Sequence, residues 1–226
     1  MTKMNEYKEF FSLLKKNRRG EAIMDAVIVD GPVGVGKTSL MDILVKEFNY
    51  VSFLEPVAEN PLLDKFYHNR KRYAFPLQIY FLNKRFEVLK SAAKLKNTVM
   101  DRSIYGDVIF AKLLWQSGDM ENEEYVLYKE LLANMLEHIE APKLMIYLKS
   151  GIDEVVGKIK KRGRDYEQIV EREYWENLNG EYEEYFQSYD VSPLLVINVD
   201  GLDYVNNEVD RKHVLKLIKD KLQEIK

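Results

Sequence analysis

Short apolar runs of strand type alternate along the chain with longer stretches of helical period, the pattern of an α/β fold on a mainly parallel sheet. The runs are Ala26–Asp30, Val51–Glu55, Thr98–Asp101, Leu144–Leu148 and Leu194–Val199, and five of them fit one sheet. Helical spacing predicts helices near 38–47, 61–68, 74–95, 103–117, 121–139, 151–161, 168–188 and 209–225. Ser150, three residues before Asp153, reads as a capping box for the helix that starts near 151. No repeat, low-complexity tract or Pro/Gly-rich linker interrupts residues 23–226, which are expected to form one domain.

Residues 1–22 stand apart as an N-terminal extension. Tyr7, Phe10, Phe11 and Leu14 fall at i, i+3, i+4 and i+7, so a helix there has one apolar face, followed by Lys15, Lys16, Arg18 and Arg19. A helix packed on its own domain or a frayed leader is expected ahead of a membrane or partner contact, and the chain is expected to keep its activity without residues 2–23.

Composition narrows the chemistry. The 226 residues carry 34 Lys plus Arg against 37 Asp plus Glu, a net charge of -3 that does not resemble the basic field of a nucleic-acid binder. Zero Cys excludes disulfides, thiolate metal sites and a cysteine nucleophile. No apolar run is long enough to span a bilayer and the N-terminus lacks a secretory signal, so a cytoplasmic protein without membrane or nucleic-acid partners is expected.

Directly after the first strand stands GPVGVGKTS (31–39), matching G-x-x-x-x-G-K-[ST], with a helical pattern behind it. Small residues (Gly31, Gly34, Val35, Gly36) let backbone N–H groups close around phosphate oxygens, and the helix start at Lys37, Thr38 and Ser39 adds positive potential. Lys37 contributes an ammonium and Thr38 a hydroxyl for Mg²⁺. The N-K-x-D signature of GTP readers is absent, since Asn83-Lys84 is followed by Arg85-Phe86.

In a doubly wound sheet the carboxyl ends of the strands share the edge that holds the ligand. Glu55 and Asp101 close the second and third strands, so both carboxylates are expected to face the phosphates. Asp101 suits Mg²⁺, Arg102 a phosphate or reacting hydroxyl, and Glu55 a proton from an attacking hydroxyl. Lys158, Lys160, Lys161, Arg162 and Arg164 place five cations in seven residues. Such a run is also what a solvated face or a localisation signal looks like. As a lid at about 158–168, Arg162 and Arg164 would neutralise charge on a transferring phosphoryl group.

These motifs, with EPVAENPLLDKFY (55–67), YAFPLQIYFLNKR (73–85), DRSIYGD (101–107), KKRGRDYEQ (160–168) and VDGLDY (199–204), resemble the deoxynucleoside kinases of P-loop fold. The likeness covers about 25–225 and is nearest to the bacterial deoxyadenosine and deoxyguanosine kinases. It implies a P-loop kinase fold, a five-stranded parallel sheet flanked by helices on both faces. It implies ATP as donor and a deoxynucleoside as acceptor, deoxyadenosine first, with deoxyguanosine and deoxycytidine as the other candidates. By resemblance, Glu55 is the base at the 5′-hydroxyl and Arg102 holds the same oxygen. Tyr67 and Glu167 bind the 3′-hydroxyl, Gln78 reads the base edge, and Arg85 and Asp107 form a charged pair behind it. Asp203 and Tyr204 contact the donor adenine. A homodimer through the helices near 103–117 and 121–139 is also implied. Where the family often has Arg at the lid helix this chain has Lys158, which lacks the bidentate fork.

Two rivals fit part of the pattern. A nucleoside monophosphate kinase of thymidylate kinase type must bind a phosphate on its acceptor, and no cation stands between Glu55 and Lys65 to do so. A non-catalytic P-loop nucleotide-binding subunit would not need Glu55, Asp101 and the lid arginines together.

Overall fold

The computed structural model describes residues 6–17, 23–54 and 60–225. Its strands are β1 (Ile23–Asp30), β2 (Val51–Phe53), β3 (Thr98–Asp101), β4 (Ala141–Lys149) and β5 (Leu194–Asn198). They form one parallel sheet of five strands in the order β2-β3-β1-β4-β5. Strand alternation divides the core in two. Ala26, Ile28, Met100, Met145 and Tyr147 point to one face, and Val27, Val29, Val99, Leu144, Ile146 and Leu148 to the other.

On the second face lie α2 (Lys37–Phe48) and α10 (Glu208–Glu224), closing a smaller core with Leu40, Leu44 and Ile218. The larger core takes α1 (Glu6–Asn17), α3 (Leu63–His68), α4 (Arg70–Ala92), α5 (Asp107–Gln116), α6 (Asn122–Leu136), α7 (Ile152–Arg162) and α9 (Arg172–Ser188). Because both faces are covered, the central strands read as continuous apolar runs. Strand order reverses about β1, with β3 on one side and β4 on the other, so a crevice opens at its carboxyl end.

Three sequence expectations change in the structure. The second strand ends at Phe53, and Glu55 lies outside the described residues. The helix expected over 168–188 starts at Arg172, as α9, and a separate short helix, α8 (Asp165–Gln168), precedes it, because Arg162 grips Glu167 and the Gln168 amide donates to the Ile159 carbonyl, folding α8 back on α7. Ser150 makes no capping box. Its hydroxyl donates to Asp200 Oδ1 at 2.7 Å, the same oxygen accepts from the Gly151 N–H at 2.8 Å, and Asp153 pairs with Arg172. A carboxylate 50 residues away thus serves the start of α7.

Helix α1 of the extension is part of the core. Tyr7, Phe10, Phe11 and Leu14 are all buried. Phe11 packs on Tyr185 of α9 with ring centroids 5.0 Å apart, and the Tyr7 hydroxyl donates to Glu181 at 2.6 Å. Glu181 also takes Lys112 of α5 at 2.9 Å, so α1, α5 and α9 meet at one buried ion pair. This packing ties α1 into the larger core. Phe11→Ala is expected to cost about 3 kcal/mol or more, read as a lower urea midpoint, and an unchanged midpoint would show that α1 adds nothing to the core.

Candidate active site

The site forms at the carboxyl edge of β1 and β3, where chain direction, burial and backbone strain coincide. The phosphate loop runs from Gly31 to Thr38. Gly31 has φ 148° and a Cβ there would stand 2.5 Å from the Leu148 carbonyl oxygen, so the position excludes a side chain. Gly36, at φ 110°, precedes α2 with no side chain capping the helix, which leaves first-turn N–H groups for an anion. Val35 is buried and Ser39 half-buried.

Lys37 is 8% exposed and its ammonium donates to the carbonyls of Gly31 and Pro32, both at 2.9 Å. The Thr38 hydroxyl donates to Asp101 Oδ2 at 2.8 Å. Asp101 Oδ1 is buried and finds no hydrogen-bond partner among the described residues. A hydroxyl and a carboxylate with an unused oxygen, side by side below a phosphate loop, are the hard donors that Mg²⁺ takes.

Arg102 follows in a left-handed conformation, φ 62°, sparsely populated for a side chain of this size. Its N–H donates to the Val29 carbonyl, and its guanidinium lies 4.8 Å from the Phe110 ring centroid and 5.8 Å from that of Tyr182. The backbone therefore turns at Arg102 to aim a buried cation back at the loop, and one nitrogen reaches the Gly31 carbonyl at 3.4 Å.

Gln78 and Arg85 stand seven residues apart on α4 and are both buried. Arg85 pairs with Asp107 at the start of α5, with the side chains 6% and 1% exposed, and its guanidinium lies over Phe81 at 4.8 Å. Asp107 Oδ2 has no hydrogen-bond partner among the described residues. Tyr67 is half-buried on α3, its ring edge against Phe66.

The basic run makes a cluster with Glu167. Arg162 donates to both its oxygens, at 2.6 and 3.2 Å, and Arg164 lies 3.6 Å from one of them. Lys158 pairs with Glu154 at 3.3 Å. Tyr204, between β5 and α10, touches the phosphate loop. The Tyr204 hydroxyl, pushed up to about 12 by burial, donates to the Gly36 carbonyl at 3.0 Å, while Asp203 is exposed and accepts from Asn206.

The sequence reading missed Asp30 and Tyr182, which line the floor beneath Arg102, and Tyr128, buried beside Arg85. Asp30 was visible as an acid ending an apolar run, the signal that drew attention to Asp101. Tyr128 and Tyr182 sit among 15 tyrosines and carry no local signal.

Comparison with known proteins shows the family. The chain is 40% identical over 211 residues to a deoxyguanosine kinase of Lactobacillus acidophilus, covering 89% of the chain and 92% of the relative. It is 39% identical to a deoxyadenosine kinase of the same organism, covering 90% and 99%. A solved deoxyadenosine kinase from M. mycoides with bound dATP superposes with a TM-score of 0.78 at 32% identity, over 86% of this chain and 99% of that one. The deoxynucleoside kinase family model matches residues 27–223, so the chain belongs to the deoxynucleoside kinase family and is a kinase of deoxynucleosides.

Proposed function

We propose that the chain transfers the γ-phosphoryl group of ATP to the 5′-hydroxyl of a deoxynucleoside, with deoxyadenosine preferred and deoxyguanosine and deoxycytidine as further substrates. The observation that carries the preference is Asp107. Its Oδ2 is buried without a hydrogen-bond partner among the described residues, while Arg85 pairs with the same carboxylate. Such an oxygen accepts from an exocyclic amino group and repels a carbonyl oxygen, which favours adenine and cytosine over thymine. Gln78, buried on the same face of α4 as Arg85, presents a donor and an acceptor in one plane to the base edge.

Phosphoryl transfer depends on positioning and on spreading charge from the equatorial oxygens. Gly31, Gly34, Val35 and Gly36 cradle the donor through backbone amides, with Lys37, Thr38 and Ser39 at the helix start. Thr38 and Asp101 would hold Mg²⁺, which supplies charge neutralisation at the triphosphate. The 5′-oxygen attacks phosphorus in line, Glu55 takes its proton, Arg102 holds the same oxygen, and the bond to the β-phosphate oxygen breaks. Arg162 and Arg164 meet the transferring group. Their pairing with Glu167 supports this reading, because both arginines are partly exposed and already gathered on one carboxylate, whose place a triphosphate oxygen would take. Glu167, released, joins Tyr67 at the 3′-hydroxyl, and Asp203 and Tyr204 flank the donor base. Residues 23–226 act as one kinase domain with its lid at about 158–168. The chain works as a homodimer through α6, which exposes Val126 and Leu127, whereas α5 is enclosed by its own chain.

Side-by-side phosphorylation of the four deoxynucleosides tests the preference. Deoxyadenosine is expected to show the highest kcat/KM and thymidine the lowest, and thymidine in first place would overturn the pocket reading. Replacing Asp107 by Ala together with Arg85 by Met is expected to raise thymidine relative to deoxyadenosine by about 10-fold or more, and an unaltered ranking would remove the pair from recognition. Glu55→Gln is expected to lose about 100-fold or more in kcat with melting unchanged. Full turnover there would take Glu55 out of the mechanism.

A further inference from the structure

Asp30 ends β1, one position before the phosphate loop, and is 1% exposed. A carboxylate so far from water persists only with partners, and each of its partners belongs to a different part of the site. Oδ1 accepts from the Gly31 N–H at 2.7 Å and from the Tyr182 hydroxyl of α9 at 3.3 Å. Oδ2 lies so near Gly106 that a Cβ there would come within 2.5 Å, so the turn after Arg102 closes against this carboxylate. Gly31 in turn offers its carbonyl to Lys37 and to Arg102. Gly31 therefore carries an anion on its N–H and two cations on its carbonyl. Burial pushes the Asp30 carboxyl above the usual range, while the charges of Arg102 and Lys37 pull it back down.

We propose that Asp30 is a positioning residue for phosphoryl transfer: it fixes Gly31 and supplies the buried negative charge that keeps Lys37 and Arg102 gathered at the phosphate loop. The inference rests on the reading of Lys37 and Arg102 as the cations that meet the phosphates. Two cations converging on one carbonyl repel each other, and a carboxylate beside them offsets that repulsion. The same charge weakens the pull on an incoming anion. Its removal therefore has a signature that ordinary damage lacks: the donor binds as well or better, but the cations are misplaced and turnover falls.

Asp30→Asn keeps the size and an acceptor for the Gly31 N–H while removing the charge. Its kcat is expected to fall about 10-fold or more, with the KM for ATP unchanged or lower and melting near wild type. Tyr182→Phe, which keeps the ring under Arg102 and removes the second hydrogen bond on Asp30, is expected to lower kcat about 3-fold with the same KM. A kcat for Asp30→Asn within about twofold of wild type overturns the proposal. A raised KM together with lost thermal stability also overturns it, because a merely structural acceptor would give that result. Should Asp30→Asn fail to fold, Tyr182→Phe decides, and wild-type kcat there overturns the proposal. Lys37→Met and Arg102→Met separate the two levels. Full turnover in these would overturn the reading of the cations, whereas loss in them with an unaffected Asp30→Asn removes Asp30 alone.

Discussion

The site depends on keeping cations out of water at the edge of a parallel sheet. Lys37, Arg85, Arg102 and Lys112 are all less than a tenth exposed. A buried charge without compensation costs several kcal/mol, so each must be answered inside the protein. The answers differ in kind. Arg85 and Lys112 are paired with carboxylates, Asp107 for one and Glu181 with Glu184 for the other. Lys37 and Arg102 are held by the Gly31 carbonyl, with Asp30 one bond network away. Carbonyl contacts satisfy hydrogen bonds to these two cations, and the Asp30 carboxylate lies close enough to feel the charge of both.

Helices α5 and α9 make this arrangement rigid. Over six residues α5 presents Asp107 to Arg85, Phe110 to Arg102 and Lys112 to the acids of α9. On the facing helix, Glu181, Tyr182, Glu183, Glu184, Tyr185 and Phe186 form one continuous run. Glu183 accepts from the Tyr147 hydroxyl at 2.9 Å and from Lys149 at 2.6 Å, tying α9 to β4, while Phe186 stacks on Tyr147 at 4.1 Å. The N-terminal helix closes the same assembly through Tyr7 and Phe11. Packing far from the phosphates thus sets where Arg102 can point.

The features legible in the sequence were those that local spacing encodes. The central strands announce themselves as apolar runs because both sheet faces are covered, and the phosphate loop is a contiguous motif. Gln78 and Arg85 share a helix face by counting alone. What spacing does not encode is competition from afar. Ser150 and Asp153 have the letters of a capping box, yet Asp200 takes the place of the cap. The acidic run of α9 reads as a solvated face, but three of its glutamates hold lysines packed against it. The left-handed turn at Arg102 carries no glycine to mark it, since the backbone there is held by the Val29 carbonyl and the rings of Phe110 and Tyr182.

The same contrast between flexible and fixed polarity bears on substrate choice. Relatives named for deoxyguanosine and for deoxyadenosine stand at 40% and 39% identity, so whole-chain likeness does not separate the purines. Gln78 does not separate them either, because rotating its amide by half a turn exchanges donor for acceptor. The Arg85 and Asp107 pair has a polarity that no rotation reverses. With Arg85 paired to Asp107, the remaining carboxylate oxygen is an acceptor whose demand for a donor is unmet among the described residues. An unmet buried acceptor costs about 1–3 kcal/mol, and on the proposed reading an exocyclic amino group of the base would remove that cost. If the pair reads the base as proposed, discrimination at this pocket would follow from that interaction, with a strength set by how completely Asp107 is kept from water.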